Sequence, residues 1–428
     1  MKVNVISRKL VKPLTPTPQN LYKYKISFTD ELIPPAHTNV ILFYKLPNPK
    51  QKPTTQLQES LAKILPQFYV FAGRYIKKDH MVNCNDEGAE FVEAEANDIE
   101  LMDFIANIKN NDQLDNLVSR QPYDVDKATD PLLSIQITQF KCGGLSISVS
   151  LSHRVADACS MATFIAAWSN NNNNNNPEPI IPSFDCPSLL PGINFEYDLI
   201  KPLPNIVVKR LLFTKEAISS LRSKLRSPNN FVSRVRLVTA LIAKALIGVE
   251  IAKSGKSRAC FIGQAVNLRG RTIKSLPKHS CGNLVVESLT QRMSANEIKE
   301  IGLQELVYIL GDAIDKTIED CANIFSLDQE RLNKILKDPW DKIFENIDSD
   351  GVSNALFFSD WTKFGFYESD FGWGNKPVWV GTGTAFCENL TFLLGSKEGD
   401  GIEAWVSLEK NDVAYFEQDE DMRLFTIA

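Results

Sequence analysis

The sequence has 428 residues and is poor in histidine, in closely spaced cysteines, in net basic charge and in long hydrophobic runs. Its formal net charge of -5 at pH 7 provides no basic field of the kind that nucleic-acid binding requires, so we expect no nucleic-acid partner. Only four histidines are present, and no two have metal-ligand spacing. We therefore expect chemistry that needs no metal.

Two further absences bear on where the protein acts. The eight cysteines are scattered, without a C-x-x-C pair or a short-range framework, which is typical of free thiols in a reducing cytosol. The N-terminal stretch MKVNVISRKLVKP lacks the continuous apolar segment of a signal peptide or a membrane span. The sequence thus predicts a cytoplasmic protein without a membrane partner.

The patterns that are present predict a large mixed α/β protein. A hydrophobic content of 43% over this length can fill the cores of two or three domains. Helical spacing at 57–65 and 231–249, and strand-like stretches at 206–213 and 259–268, place both element types in both halves. The seven asparagines of 170–176 have no apolar group to bury and predict a surface loop.

The most informative segment runs from 143 to 168. Four apolar residues at odd positions from Leu145 to Leu151 alternate with four serines, which predicts a strand with two distinct faces. Continuing this alternation places His153 on the apolar face, directed into the protein. On this pattern alone, a hydrogen-bonded core histidine is the more common outcome and a catalytic one the rarer.

Asp157 follows His153 by four residues and precedes Met161 by four, on an apolar helical stripe. A buried carboxylate requires a cationic or hydrogen-bonding partner, for which Arg269 and Arg271 are the candidates. Asp157 is therefore interpreted as a structural ion rather than a member of a Ser-His-Asp relay. The alternative is that Asp157 is an acidic residue at the start of a helix, where the helix dipole favours a negative charge.

A second motif is Asp370-Phe371-Gly372-Trp373-Gly374, which by itself predicts a tight loop before a strand at 378–380. Together, H-x-x-x-D at 153–157 and D-F-G-W-G at 370–374 resemble the two signatures of the plant BAHD acyltransferase family. The resemblance covers nearly the whole chain and is closest to the vinorine-synthase-like branch, which mostly acetylates specialised metabolites such as alkaloids. Further matching stretches are Lys12-Pro13, Pro16-Thr17-Pro18, 60–74, Val266-Asn267-Leu268-Arg269 and Gly282-Asn283.

The resemblance implies a fold and roles for the structural residues. We expect two similar-sized chloramphenicol-acetyltransferase-like mixed α/β domains with an active-site channel between them, in a monomer. The N-terminal domain would cover 1–187 and carry H-x-x-x-D, 188–213 would be a crossover linker, and 214–428 would form the C-terminal domain carrying D-F-G-W-G. The family pattern pairs Asp157 with Arg269 and gives Asp370 to Gly374 a structural role.

The resemblance also implies an activity. His153 would act as general base, removing a proton from the hydroxyl of a small acceptor as its oxygen attacks the thioester of acyl-CoA. The branch favours acetyl-CoA as co-substrate and an alkaloid as acceptor, with no permanently bound cofactor. Two departures from the family pattern are Ala158, where glycine is usual, and Arg236, where glutamate is common; neither removes a reacting group.

Competing classes fit less well. A serine hydrolase requires a G-x-S-x-G elbow that the sequence lacks, and the serines near His153 belong to the opposite strand face. A kinase interpretation of Asp370-Phe371-Gly372 lacks the Gly-rich phosphate loop and the H-R-D catalytic loop. The remaining alternative is a non-catalytic or repurposed member of the same fold that binds a metabolite while retaining His153.

Overall fold

The computed structural model describes most of the chain, and its contacts group the residues into two compact units. Unit 1 comprises Met1–Pro202, Pro277–Leu284 and Phe364–Phe386, and unit 2 comprises Leu203–Leu276, Val285–Lys363 and Cys387–Ala428. The described residues are 1–48, 53–108, 111–125, 127–172, 178–196, 205–225, 232–341, 353–383 and 387–427. Positions 173–176 of the asparagine run lie outside the described residues.

Strands and helices occur in both units. In chain order, the strands are β1 (Asn4–Val11), β2 (Lys23–Lys25), β3 (His37–Tyr44), β4 (Arg74–Ile76), β5 (Met81–Asn83), β6 (Ala89–Ala96), β7 (Leu133–Phe140), β8 (Leu145–Ser152), β9 (Ile206–Phe213), β10 (Ala259–Asn267), β11 (Val285–Leu289), β12 (Ser353–Asp360), β13 (Trp379–Gly381), β14 (Leu390–Gly395) and β15 (Ile402–Glu409). The helices are α1 (Phe28–Leu32), α2 (Thr54–Ile64), α3 (Leu101–Asn107), α4 (Ala158–Asn170), α5 (Cys186–Leu189), α6 (Lys215–Ser223), α7 (Arg234–Ser254), α8 (Ala295–Glu300), α9 (Leu303–Cys321), α10 (Gln329–Leu332), α11 (Val413–Gln418) and α12 (Glu420–Phe425). Short 3-10 segments lie at Gln19–Leu21, Tyr69–Ala72, Lys77–Asp79, Asn111–Leu117, Ile324–Ser326 and Phe366–Glu368, with a π-helical turn at Asn333–Lys337.

Unit 1 is built on a six-stranded sheet of order β1-β6-β7-β8-β3-β13 and a three-stranded sheet of order β2-β5-β4. Strand β8 lies between β7 and β3 and pairs antiparallel with both. All eight of its residues are buried, so the serine face as well as the apolar face is covered. The predicted alternation is present, and the burial of both faces shows that other parts of the protein cover the sheet on each side of this strand.

Unit 2 contains the second six-stranded sheet, of order β11-β10-β12-β14-β15-β9. Its core helix α7 begins after the Ser233 cap, whose side chain accepts the N-H of Arg236, and ends at Gly255, which has φ +68. Eleven of the 21 residues in α7 are buried, as expected for a helix that packs in a core. In the described part of the chain, none of the helices combines the length and apolar character needed to cross a membrane.

The mixed α/β fold class is confirmed, and the contacts group one motif differently from the sequence prediction. The D-F-G-W-G motif, predicted to belong to a C-terminal domain over 214–428, packs with unit 1. The reason is that β13, directly after the motif, pairs antiparallel with β3 of unit 1, with Trp379 opposite Phe43. Strand β9, at the end of the predicted linker 188–213, is an edge strand of the unit 2 sheet. The predicted domain boundaries, with 1–187 and 214–428 as domains and 188–213 as linker, stay predictions.

Candidate active site

His153 lies in the turn between β8 and α4 of unit 1. The strand ends at Ser152, and the backbone N-H of His153 donates to the carbonyl of Ala36 at 2.8 Å. Helix α4 then begins at Ala158. This hydrogen bond fixes the backbone at the first residue of the turn. The half-buried side chain of His153 therefore extends from a fixed position.

The imidazole of His153 meets the segment 277–284, which is distant in sequence. Its Nδ1 lies 2.9 Å from Oδ1 of Asn283. The amide Nδ2 of Asn283 donates to the backbone carbonyl of His153 at 2.7 Å. Asn283 thus contacts both the ring and the backbone of His153, which fixes the plane of the imidazole relative to its own main chain.

Asn283 is in turn held by Asp30 of α1. The Asp30 Oδ1 accepts the side-chain Nδ2-H of Asn283 at 2.7 Å and its backbone N-H at 3.0 Å. The other oxygen, Oδ2, accepts the N-H and the hydroxyl of Ser27, each at 2.7 Å, in a capping box. Burial raises the pKa of Asp30 to about 6, and the hydrogen bonds from Ser27 and Asn283 oppose that shift.

The environment of His153 favours the neutral imidazole. Burial lowers the pKa of His153 because the cation loses its hydration. The negative charge of Asp157, the hydrogen bond to the Asn283 side chain and one to the backbone of His153 itself oppose this shift, and the pKa stays below its ordinary value. At neutral pH the ring is therefore predominantly unprotonated, the form that can accept a proton.

Asp157 is the N-cap of α4, in agreement with the alternative interpretation of a helix-start acid. Its Oδ1 accepts the backbone N-H and the hydroxyl of Ser160, both at 2.8 Å, and its Oδ2 accepts the N-H of Leu284 at 3.1 Å. The Nδ1 of His153 is occupied by Asn283, so the imidazole and Asp157 do not form the relay of a Ser-His-Asp triad. The carboxylate is buried, and hydrogen bonds such as these offset the cost of removing it from water.

The two arginines proposed as partners of Asp157 belong to unit 2, after β10. The backbone N-H and the Nη1 of Arg269 donate to Oδ1 of Asn267 at 3.0 and 3.1 Å. Arg271 is exposed, and its Nη1 donates to the Asn267 carbonyl at 3.1 Å. The pairing of Asp157 with Arg269 stays a prediction.

The D-F-G-W-G segment forms a loop organised around one carboxylate. Oδ1 of Asp370 accepts the backbone N-H groups of Gly372, Trp373 and Gly374 at 3.0, 2.9 and 3.2 Å. Both glycines have positive φ, +84 at Gly372 and +71 at Gly374. The turn depends on these dihedral angles, which L side chains rarely adopt.

The aromatic residues of this loop anchor it to the unit 1 sheet and to α4. Tyr44 packs edge-on against Phe371 and Trp373, with ring centroids 5.9 and 5.2 Å apart, and its hydroxyl donates to the Ser369 carbonyl at 3.1 Å. Phe371 also packs against Trp168, with centroids 4.8 Å apart. These contacts hold the loop against its neighbours, and the structural role of Asp370 to Gly374 stays a prediction.

Sequence reasoning did not identify Asp30 or Asn283 as site residues. The signal for Asp30 was the S-x-x-D pattern of a capping box at Ser27, which indicates a helix start and nothing about His153. Asn283 appeared only as part of the matching stretch Gly282-Asn283. Among the described residues, no group of three or more His, Cys, Asp or Glu side chains is placed to hold a metal ion.

Comparison with known proteins supplies the family. The family model described as Transferase family matches residues 1–423. The chain is 43% identical over 434 residues to pelargonidin 3-O-(6-caffeoylglucoside) 5-O-(6-O-malonylglucoside) 4'''-malonyltransferase of Salvia splendens, covering 99% of this chain and 100% of that protein. It is 35% identical to vinorine synthase of Rauvolfia serpentina, over 96% of this chain and 94% of that protein.

The fold agrees with this relationship. The crystal structure of vinorine synthase matches with a TM-score of 0.83 at 33% sequence identity, covering 97% of this chain and 96% of that one. The family match, the relatives and the mixed α/β fold thus agree over almost the whole chain. The protein therefore belongs to the plant BAHD acyl-CoA-dependent acyltransferases, and it is an acyltransferase.

Proposed function

We propose that this acyltransferase transfers an acyl group from acyl-CoA to a hydroxyl of a small specialised metabolite, with His153 as general base. The observation that carries the proposal is the hydrogen-bond distance of 2.9 Å between His153 Nδ1 and Asn283 Oδ1, which orients the half-buried imidazole. A base whose pKa lies below its ordinary value is unprotonated at neutral pH and available for the first step.

The reaction proceeds by proton transfer coupled to addition. His153 takes the acceptor hydroxyl proton as the oxygen forms a bond to the thioester carbonyl carbon, whose π electrons move to the carbonyl oxygen. When the tetrahedral intermediate collapses, the carbon-sulfur bond breaks and the imidazolium returns the proton to the CoA thiolate. The products are an ester and free CoA, and no covalent acyl-enzyme is required.

For the substrates, we propose acetyl-CoA as donor and a hydroxylated alkaloid as acceptor. The support is the resemblance to the vinorine-synthase-like branch and the 35% identity to vinorine synthase over 96% of this chain. A second candidate is malonyl transfer to a glycoside hydroxyl, supported by the higher identity of 43% to the Salvia splendens malonyltransferase. The two donors differ by a terminal carboxylate, which requires a cationic or hydrogen-bonding partner.

The test is release of free CoA thiol from acetyl-CoA and from malonyl-CoA, with panels of hydroxylated alkaloids and of flavonoid glycosides as acceptors. His153→Ala is the variant, and His80→Asn is the matched histidine control. His80 lies in a turn with φ +44, a conformation that asparagine tolerates. We expect ester formation by the wild type and by His80→Asn, and a loss of roughly 100- to 10,000-fold in His153→Ala.

The outcomes separate the possible functions. Preference for acetyl-CoA with an alkaloid supports the first candidate, and preference for malonyl-CoA with a glycoside supports the second. Turnover that survives in His153→Ala would remove His153 from the mechanism. Acceptor binding without turnover by any donor would favour the repurposed, metabolite-binding alternative.

A further inference from the structure

The Nδ1 side of the His153 imidazole faces two polar residues, whose role in catalysis rests on the proposed function in which His153 is the base. Two buried side chains, Asp30 and Asn283, form a hydrogen-bonded series that ends at the Nδ1 of His153. Asp30 is fully buried, and so is Asn283. A buried polar series in which every member is satisfied can fix one arrangement of its members.

The orientation of the Asn283 amide follows from its neighbours. One terminal atom of the Asn283 amide lies 2.7 Å from both Asp30 Oδ1 and the His153 carbonyl oxygen. The carboxylate and the carbonyl can only accept hydrogen bonds. This atom is therefore the amide nitrogen, and the oxygen is the atom that faces the imidazole. An amide flip would place the oxygen against two acceptors, including a carboxylate.

The tautomer of His153 follows from the amide orientation. The amide oxygen of Asn283 can only accept a hydrogen bond, so Nδ1 at 2.9 Å must carry the proton. In the neutral imidazole the other nitrogen, Nε2, then holds the lone pair. Hydrogen bonding from the described residues reaches Nδ1 and not Nε2. The basic nitrogen is thus left for the acceptor hydroxyl.

We propose that Asp30 and Asn283 are positioning residues that hold His153 in its Nδ1-H tautomer, with Nε2 as the proton acceptor. Asn283 contacts the ring directly, and Asp30 acts through Asn283 by fixing the direction of its amide. Protonation adds a proton at Nε2 and leaves the Nδ1-H group in place, so the hydrogen bond to Asn283 is kept in the imidazolium.

Glu31 offers a matched control for Asp30. It is the next residue of α1, it is 1% exposed, and its carboxylate accepts the backbone N-H groups of Ile193, Asn194 and Phe195 at 2.8, 2.9 and 3.2 Å. Glu31→Gln therefore perturbs a buried carboxylate on the same helix, within unit 1, without altering a hydrogen bond to Asn283. A loss confined to Asp30→Asn would reflect the series and not general damage to α1.

The direct experiment is long-range ¹H-¹⁵N NMR of the full-length protein labelled with ¹⁵N-histidine, which distinguishes Nδ1-H from Nε2-H imidazoles. The chain has only four histidines, so the His153 signals are identified by their absence in His153→Ala. We expect the Nδ1-H form in the wild type and in Glu31→Gln, and loss of the single tautomer in Asn283→Ala. A wild-type His153 in the Nε2-H form overturns the proposal, even if the Asn283 and Asp30 variants fail to fold.

The kinetic experiment compares Asn283→Ala, Asn283→Asp, Asp30→Asn and Glu31→Gln. We expect kcat to fall between about 10-fold and 10,000-fold in Asn283→Ala, with KM for acyl-CoA nearly unchanged, because a histidine in the wrong tautomer cannot accept the proton. In Asn283→Asp, a carboxylate beside Nδ1 favours the imidazolium, so the acidic limb of kcat/KM moves to higher pH. We expect kcat to fall in Asp30→Asn and to stay near the wild-type value in Glu31→Gln.

Two results separate this proposal from the proposed function. If His153→Ala keeps its activity, the general-base mechanism fails, while the tautomer measured by NMR still reports on the series. A second combination is an inactive His153→Ala together with an Asn283→Ala that keeps the wild-type kcat, pH profile and Nδ1-H tautomer. This combination refutes the positioning role of Asn283 and leaves the general-base role of His153 intact.

Discussion

The carboxylate of Asp157 accepts the backbone N-H of Leu284 at 3.1 Å, joining the start of α4 to a residue 127 positions further along the chain. Leu284 directly follows Asn283, the residue that contacts the His153 ring. Ser160 reinforces the connection, because its hydroxyl, which donates to Asp157 Oδ1, also accepts the backbone N-H of Gly282 at 3.1 Å. Asp157 thus supports the site by holding the backbone that presents Asn283.

Asp157→Ala should therefore destabilise the protein and also impair catalysis. The substitution removes a helix cap and leaves the Leu284 N-H without this acceptor, which together should cost about 2 kcal/mol or more. Thermal unfolding and kcat are the measurements. Asp157→Asn is the matched variant, and we expect a smaller fall in Tm because asparagine is also a good cap. A wild-type Tm in Asp157→Ala would contradict this account.

The pH dependence of activity should reflect the environment of His153. Burial lowers the pKa of the imidazole, so the neutral base persists to more acidic solution and the acidic limb of kcat/KM should lie below about pH 6.5. The Asp157 carboxylate raises that pKa. Its removal in Asp157→Asn should thus move the limb to still lower pH, whereas a limb above pH 7 in the wild type would contradict the proposed environment.

The two glycines of the D-F-G-W-G loop should differ in their tolerance of a side chain. A Cβ at Gly372 would lie 2.2 Å from the carbonyl oxygen of Asn172, whereas a Cβ at Gly374 would have no heavy atom within 4 Å. Gly374→Ala should therefore cost only the strain of positive φ, roughly 1–2 kcal/mol. Gly372→Ala adds a backbone clash.

Thermal unfolding of Gly372→Ala and Gly374→Ala tests this difference. We expect the larger fall in Tm for Gly372→Ala. Because the role predicted for the loop is structural, we expect kcat per folded molecule near the wild-type value in both variants. Equal Tm values would show that the Asn172 backbone moves freely away from the added methyl group. A selective loss of kcat in Gly374→Ala would give the loop a role beyond structure.

Glu287 on β11 should make the stability of unit 2 depend on pH. Burial raises the pKa of Glu287 to about 8, and its Oε1 has no hydrogen-bond partner among the described residues. The folded protein keeps this proton up to about pH 8, whereas the unfolded chain releases it near its ordinary pKa of 4.5. Stability from this group is therefore present below pH 4.5 and is lost as the pH rises through 8.

Glu287→Gln removes this dependence, because glutamine stays neutral. The Tm of the variant relative to the wild type should rise progressively between pH 5 and pH 9. Glu300→Gln, at an exposed position, is the control and should show no such trend. A constant difference between Glu287→Gln and the wild type across this range would show that the carboxyl is not protonated in the folded protein.

Local patterns predicted the elements around the site well. The alternation from Leu145 to Ser152 is β8, the apolar stripe with Met161 is α4, and the stretch 206–213 is β9. These features follow from spacing along a few turns or pleats, which the chain specifies without reference to distant residues. The two motifs, through the resemblance that they carried, also indicated the family and the fold class correctly.

Pairings between distant segments were not accessible in the same way. The contact between His153 and Asn283 joins residues 130 positions apart, and that between Asp30 and Asn283 joins residues 253 apart. The packing of the D-F-G-W-G loop against Tyr44 was likewise missed, because chain position suggested a C-terminal domain. Periodicity gives the face on which a side chain lies, and it does not give the partner that meets that face.

The sequence by itself determined the strand that leads into His153, the apolar stripe of the helix that follows and the family to which both belong, because these depend on local spacing and on motifs. Only the tertiary structure decided that a buried Asp30 directs the Asn283 amide and that its oxygen faces the imidazole. The physical reason is that a hydrogen bond fixes a tautomer only when donor and acceptor atoms from separate segments come within 3 Å, and packing of the whole unit brings them there.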